Sequence, residues 1–322
     1  MVSLGVCFDR TFPAGEVIPW ARDVEAAGLD DLWVIEDCFF TAGVSLAAAA
    51  LATTDELHVG LGILPAVARN PAITAMEIAT LAGIAPGRLL AGIGHGVGSW
   101  MAQMGAATPS PLTTLDEVIS TVRRLLRGEE VTFQGREVSL DAVRLDAPPD
   151  PVPPVLAGVR GPRSLALAGR VADGLVLAEL AGPTYVRWAR ELAAGAPITA
   201  VFVATSLDDD RTVARRRIAP FLVEVLTESN VAIEMAPGHD DAVAAAAEGP
   251  DALLDLPDAW WREVGAIGDP DDVVAHVAAL AAAGADRVAF FPPPVLDAAK
   301  ELVGSLGELA PALRAAGAAP AG

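Results

Sequence analysis

Residues 268–291 read GDPDDVVAHVAALAAAGADRVAFF, and this run decides how the rest of the chain is parsed. Asp269 is a helix-capping residue, and Pro270 fills the first helical position, where its missing N–H has no bond to lose. Val273, Val277 and Leu280 then recur at helical spacing, Gly284 supplies the stop, and 287–291 reads as a short buried strand. Working outward, the same alternation appears upstream. Candidate strands fall at 4–8, 32–35, 58–64, 88–93, 155–157, 174–177 and 198–205, with 287–291 the eighth. Helices are expected over 14–27 (Val17, Trp20, Ala21 and Val24 on one stripe, Gly28 as stop), 44–53, from Pro71, from near Thr114, from near Pro162, over 183–194, and after the acidic cluster at 208–210. Thr114-Leu115-Asp116-Glu117 matches a capping box.

Eight strand–helix units in order predict the α/β class and a single (β/α)8 TIM barrel spanning 1–322. An open doubly wound sheet is the alternative, but it usually closes with fewer strands. Segments 131–133 and 137–145 flank Gln134-Gly135-Arg136 and read as a hairpin excursion. Residues 227–258 mix Pro, Gly, Ala and acidic residues without rhythm and are expected to form an insertion or lid, while 315–322 are expected to fray.

Composition narrows the function. Of 322 residues, 52% are hydrophobic, enough for a large core and incompatible with disorder through the bulk of the chain. The 42 acidic and 22 basic residues give a charge of −20, which argues against nucleic acid and anionic membrane as partners and leaves a small molecule. Lys300 is the sole lysine and reads as part of a surface helix, so a lysine Schiff base is not expected. No apolar run approaches the roughly 20 residues of a bilayer span. The opening MVSLGVCFDR lacks a secretory pattern because Asp9 and Arg10 interrupt it, so a cytoplasmic protein is expected. Cys7 and Cys38 make neither a disulfide framework nor a zinc site. The histidines are scattered, with His58 at the far end of a strand, His239 in the insertion and His276 on an outer helix, and no metal site is expected.

A barrel builds its active site at the C-terminal ends of its strands, which selects positions before any motif is invoked. Strand two ends at Glu36-Asp37. Adjacent strand residues face opposite ways, so one of the two can enter the mouth as a general acid or base; the plainer reading is an ion pair with Arg10 or Arg69. Strand four runs into Gly92, Gly94, Gly96 and Gly98, with His95 among them. The run reads either as a cofactor cradle or as ordinary turn glycines. Its spacing fits neither the dinucleotide fingerprint nor a P-loop. Gly158-Val159-Arg160-Gly161-Pro162-Arg163-Ser164 joins strand five to a helix N-terminus. Free N–H groups, the helix dipole and Arg160 and Arg163 make it an anion-site candidate, against the alternative of a tight turn with solvated arginines. Cys38, next to two carboxylates, reads as inert.

Residues 27–37 (AGLDDLWVIED), 59–65 (VGLGILP), 88–94 (RLLAGIG), 161–164 (GPRS) followed by Ala172-Asp173-Gly174, and Gly268-Asp269-Pro270-Asp271-Asp272 together resemble the luciferase-like flavin oxidoreductase superfamily over most of the chain. Within it the chain looks most like the branch that uses the deazaflavin coenzyme F420. The resemblance implies a non-proline cis peptide at Gly62-Ile63 against the deazaflavin ring, with the loop after strand four (Gly94, His95, Gly96) and Gly158, Val159, Arg160, Gly161 and Arg163 holding the ribityl and phosphate parts. It implies hydride transfer with Asp37 or Glu36 as proton donor or acceptor and His95 as a polar contact, and a homodimer. FMN with monooxygenase chemistry is the alternative cofactor, and a flavin-binding paralogue without turnover the alternative class. Family members often carry an Asp-His pair where Glu36-Asp37 stands here. That departure and the missing lysines argue against glucose 6-phosphate as substrate.

Overall fold

Eight parallel strands close on themselves in the computed structural model, which describes residues 2–228 and 230–318. In chain order the elements are β1 (Ser3–Phe8), α1 (Val17–Ala26), β2 (Asp31–Val34), α2 (Gly43–Thr53), β3 (His58–Pro65), α3 (Pro71–Ile84), β4 (Leu89–Gly94), α4 (Gly98–Gln103) and α5 (Pro111–Leu126). The hairpin β5 (Val131–Gln134) and β6 (Ser139–Val143) follows, then β7 (Val155–Gly158), α6 (Pro162–Val171), β8 (Gly174–Leu177), α7 (Pro183–Leu192), β9 (Ile198–Leu207) and α8 (Arg211–Leu226). The chain ends with α9 (Val231–Glu234), α10 (His239–Glu248), α11 (Asp258–Val264), β10 (Ala266–Gly268), α12 (Pro270–Ala283), β11 (Arg287–Phe291) and α13 (Leu296–Gly317). The barrel order is β1-β2-β3-β4-β7-β8-β9-β11, with β11 pairing back onto β1. All eight expected barrel strands are present in the expected order.

Alternation along the strands makes two cores. Leu4, Val6 and Phe8 of β1 face the surrounding helices, whereas Cys7 faces the barrel axis with Trp33, Leu90, Leu156, Phe202 and Ala289. Trp33 and Phe202 meet edge to face at 5.1 Å inside the barrel.

Several details differ from the sequence reading. The 14–16 stretch is a 3-10 turn and α1 starts at Val17. α5 begins at Pro111, before the proposed capping box, because proline fits the first helical turn. Glu117 therefore does not cap its own helix. Its carboxylate accepts backbone N–H bonds from Arg136, Glu137 and Val138 at 2.7, 2.8 and 2.8 Å and pins the β5–β6 turn. Burial pushes its pKa up, but these donors outweigh burial and hold it below the usual carboxylate range. The last helix does not fray from 315: Arg314 donates to the Gly28 carbonyl at 2.6 Å and to Asp30 at 3.0 Å, and α13 runs to Gly317. Residues 319–322 of the expected frayed tail lie outside the described residues.

The stretch at 227–258, expected as an insertion or lid, holds α9, α10, a 3-10 turn at 250–255 and the start of α11. These pack with α8 on a separate apolar cluster that includes Leu222, Ile233, Leu253, Trp260 and Trp261. β9 overruns the barrel to Leu207 and carries β10 on its end, with Ala266 beside Thr205. Arg211 bridges Asp258, Asp269 and Asp272, and Arg215 holds Asp258 at 2.7 Å while stacking over Trp261 at 5.2 Å.

Beneath this network His276 is buried, its Nδ1 2.6 Å from the Arg262 carbonyl. Burial pushes its pKa down to about 4, against the pull of that carbonyl. The folded state thus binds this proton less readily than the unfolded chain. Stability is complete above about pH 6.5 and falls with pH from there, by about 1.4 kcal/mol at pH 5.5. Urea midpoints measured at pH 7.5 and 5.5 are expected to show this loss, and His276→Gln to flatten it.

Candidate active site

Every loop that leaves the C-terminal end of β1, β2, β3, β4, β7 or β8 contributes to one mouth. The Glu36-Asp37 pair divides as alternation requires. Glu36 turns away from the axis: its carboxylate takes both terminal nitrogens of Arg69 and accepts the Gly43 N–H at 3.0 Å, fastening the loop to the start of α2. Arg69 also meets Glu77 at 3.0 Å. Asp37 turns to the mouth, where Arg10 holds it at 2.5 Å. Burial pushes the Asp37 carboxyl up, Arg10 pulls it back, and the charges of Glu179 and Asp9 add to the rise. The ion pairs with Arg10 and Arg69 are both present, and only Asp37 is left facing the mouth. Asp9 accepts from the Thr11 N–H and hydroxyl at 2.8 and 2.5 Å. Cys38 is pushed up by burial, Glu36 and Asp37, as expected of an inert thiol.

The peptide Gly62-Ile63 is cis, where the family resemblance implied one, and the register with β4 slips between Leu61 and Leu64. The slip swings Ile63 over the ends of β4 and β7. A Cβ at Gly94 would stand 3.1 Å from Ile63, one at Gly158 2.5 Å from it, and one at Gly92 2.1 Å from the Leu61 carbonyl oxygen. The run therefore has a packing role of its own. Gly92 admits the slipped backbone, Gly94 and Gly158 seat Ile63, and Ile63 presents the half-exposed surface. Gly96 serves its turn, at φ +71°.

His95 stands 3.0 Å from the Ser164 hydroxyl and joins the β4 loop to the first turn of α6. Burial pushes its pKa down, against a bond to the Pro111 carbonyl, so the ring is neutral at pH 7. Val159 is buried, and Tyr185 donates to the Arg160 carbonyl at 2.8 Å. The Arg160 guanidinium meets Glu179 at 3.2 Å. α6 opens on Gly161, which offers no side-chain cap and would leave open space around a Cβ. Arg163 is exposed there and has no ion-pair partner among the described residues. Unbonded N–H groups, the helix dipole and a guanidinium without an ion pair among the described residues make this helix start a candidate for an anion.

Three parts of the mouth were not legible as such in the sequence. Phe39 and Phe40 follow Asp37 directly and are 62% and 52% exposed. Arg10 lies over the Phe40 ring at 4.9 Å and the Trp100 ring at 5.9 Å. Trp100 sits on α4, a helix not foreseen. Two aromatics at a strand end were the available signal for Phe39 and Phe40; nothing nearby in sequence links Arg10 to Trp100. Among the described residues no group of His, Cys, Asp or Glu suits a metal ion, and no helix is long and apolar enough to cross a membrane.

Comparison with known proteins agrees with this architecture. The chain is 27% identical over 323 residues to the 5,10-methylenetetrahydromethanopterin reductase of Methanolobus tindarius, covering 94% of this chain and 98% of that enzyme. It is 31% identical over 174 residues to the F420-dependent glucose-6-phosphate dehydrogenase of Nakamurella multipartita, covering 52% of this chain and 47% of that one. The coenzyme F420 dependent tetrahydromethanopterin reductase from Methanopyrus kandleri shares the fold at a TM-score of 0.78 and 20% identity, over 95% of this chain and 97% of that one. The profile of the luciferase-like monooxygenase family matches residues 5–287, and the chain belongs to that family.

Proposed function

We propose that this protein is an oxidoreductase that transfers hydride between coenzyme F420 and a small organic substrate. The observation that carries the reading is the juxtaposition, across β3, β4 and β7, of the Ile63 surface with the uncapped start of α6 and its unpartnered Arg163. One suits the flat face of a deazaflavin ring and the other its phosphate. The F420-dependent enzymes among the relatives support the same cofactor. The α6 N–H groups and Arg163 would hold the phosphate, with Gly158, Val159 and Gly161 lining its approach. Ile63 would back the ring, and Gly94, His95 and Gly96 the segment between. Bound there, the deazaflavin supplies a carbon that carries a hydride. Asp37, raised by burial and positioned by Arg10, takes the substrate's hydroxyl proton on oxidation and returns it on reduction. Glu36 is tied into the loop and sets Asp37 from behind.

Fluorescence titration of the purified protein with F420 and with FMN tests the reading: F420 binds and FMN does not. FMN binding alone would replace it with a flavin monooxygenase, and binding of neither with a relative that does not turn over.

The protein is also proposed to act as a homodimer. α2 and α3 are apolar nearly all round, and Glu77, already held by Arg69, is their one charge. α3 exposes Ile73, Met76 and Ile84, while the neighbouring face of α2 is small, with Ser45 and Ala52 outermost. Large beside small on one uncharged face is self-complementary about a twofold axis and avoids the repulsion of a −20 body. Met76→Glu is expected to halve the mass measured by light scattering; an unchanged mass would move the interface elsewhere. A cytoplasmic location fits the two free cysteines, Cys7 and Cys38.

A further inference from the structure

We infer that the substrate is uncharged and apolar and lies against the Phe40–Arg10–Trp100 stack; this rests on the hydride-transfer reading above. Two independent observations lead to it. The first is charge. Among the described residues the cations around the mouth are Arg10, Arg69, Arg160 and Arg163. The first three are bound to Asp37, to Glu36 and Glu77, and to Glu179. The fourth stands at the start of α6, on the side assigned to the cofactor. Asp9 is buried without a cation, and Asp37 senses both Asp9 and Glu179, so these carboxylates share one space. An anionic substrate entering there would find no free guanidinium and an excess of negative charge.

The second observation is surface. Phe39, Phe40, Val97 and Met104 are all exposed on the loops after β2 and β4, and Trp100 lies between the last two in sequence. Apolar side chains gathered at the end of a barrel, beside Asp37, mark a ligand surface rather than a scatter of exposed residues. A cation would be attracted by the carboxylates, but Asp37 and Glu179 are already matched by arginines, Asp9 is buried and taken up by the Thr11 N–H and hydroxyl, and the wall it would meet is hydrocarbon. Arg10 serves as a positioning residue: stacked between two rings and paired with Asp37, it fixes the apolar wall and the proton carrier relative to each other.

The test uses one ring with three charges: cyclohexanone, cyclohexanecarboxylate and cyclohexylamine. Each is titrated into the free and the F420-loaded protein and followed by saturation-transfer NMR. Cyclohexanone is expected to bind at least about tenfold tighter than either charged analogue. Phe40→Ala and Trp100→Ala are each expected to weaken it about tenfold, with F420 affinity within about twofold of the parent. Tighter binding of the carboxylate or the amine, equal binding of all three, or binding of none would overturn the proposal. So would a Phe40→Ala protein that binds cyclohexanone normally but loses mass in solution, which would give the lip to a second copy of the chain. Failure of F420 to bind any form, with cyclohexanone preference intact on the free protein, would count against the cofactor reading and leave the apolar site standing.

Discussion

Arg287→Met is expected to lower the unfolding free energy by about 3–5 kcal/mol, the usual consequence of stranding one member of a buried ion pair. The arginine opens β11 at the face of the barrel opposite the mouth, and its guanidinium is bound to Asp31 at the start of β2. Asp31 is fully buried; His58 approaches the same oxygen at only 3.8 Å, and the second oxygen has no hydrogen-bond partner among the described residues. Burial pushes the Asp31 carboxyl up, and Arg287 is the main force opposing it. Without the arginine the carboxyl must either carry an unmatched charge in the barrel floor or take up a proton. Relative to the parent, in which His276 lowers stability below about pH 6.5, the variant should therefore gain stability as pH falls toward 5, because its folded state then holds a proton that the unfolded chain gives up. Urea unfolding across pH 5 to 8 reads both effects. Asp31→Asn in the Arg287→Met background should recover most of the loss. A parent-like midpoint for Arg287→Met would show that the pair contributes nothing net.

Arg163→Glu is expected to weaken F420 binding about 100-fold, since a charge-assisted bond of about 1.5–3 kcal/mol is replaced by repulsion. The side chain stands at the N-terminus of α6 with no partner to compensate for its loss, in a protein of net charge −20. Recognition of an anion by such a body has to be local. Arg160→Ala is expected to do less, about threefold, because its guanidinium already faces Glu179 and is half exposed. Fluorescence titration at two salt concentrations separates the two roles. Binding to the parent should weaken with salt, whereas binding to Arg163→Glu should tighten, because salt screens the new repulsion. Equal losses for the two variants would remove the distinction.

How far the sequence could be read follows from what each element depends on. The barrel was legible because strand period, helix period, Asp269 and the prolines at helix starts act locally, and the eight units repeat. The Glu117 link was not, because a capping box and a distant turn compete for one carboxylate and only the third dimension shows that 136–138 arrive first. The helical character of 227–258 was masked because its burial comes from α8 and β10 rather than from its own periodicity. At the site, strand alternation foretold that Glu36 and Asp37 would separate but not which would face in. The glycines were visible, but what fills the space they leave is Ile63, displaced by a register slip that no residue pattern announces.

That seating has a consequence for how such a protein can diversify. Ile63, Gly92, Gly94 and Gly158 come from three strands and interlock, so a change at one is obstructed by the others and the platform is inherited as a block. Phe39, Val97 and Met104 project from loops into solvent, and Phe40 touches the site behind it through Arg10. Substitutions on that rim can therefore be made one at a time without disturbing the packing of the platform beneath it.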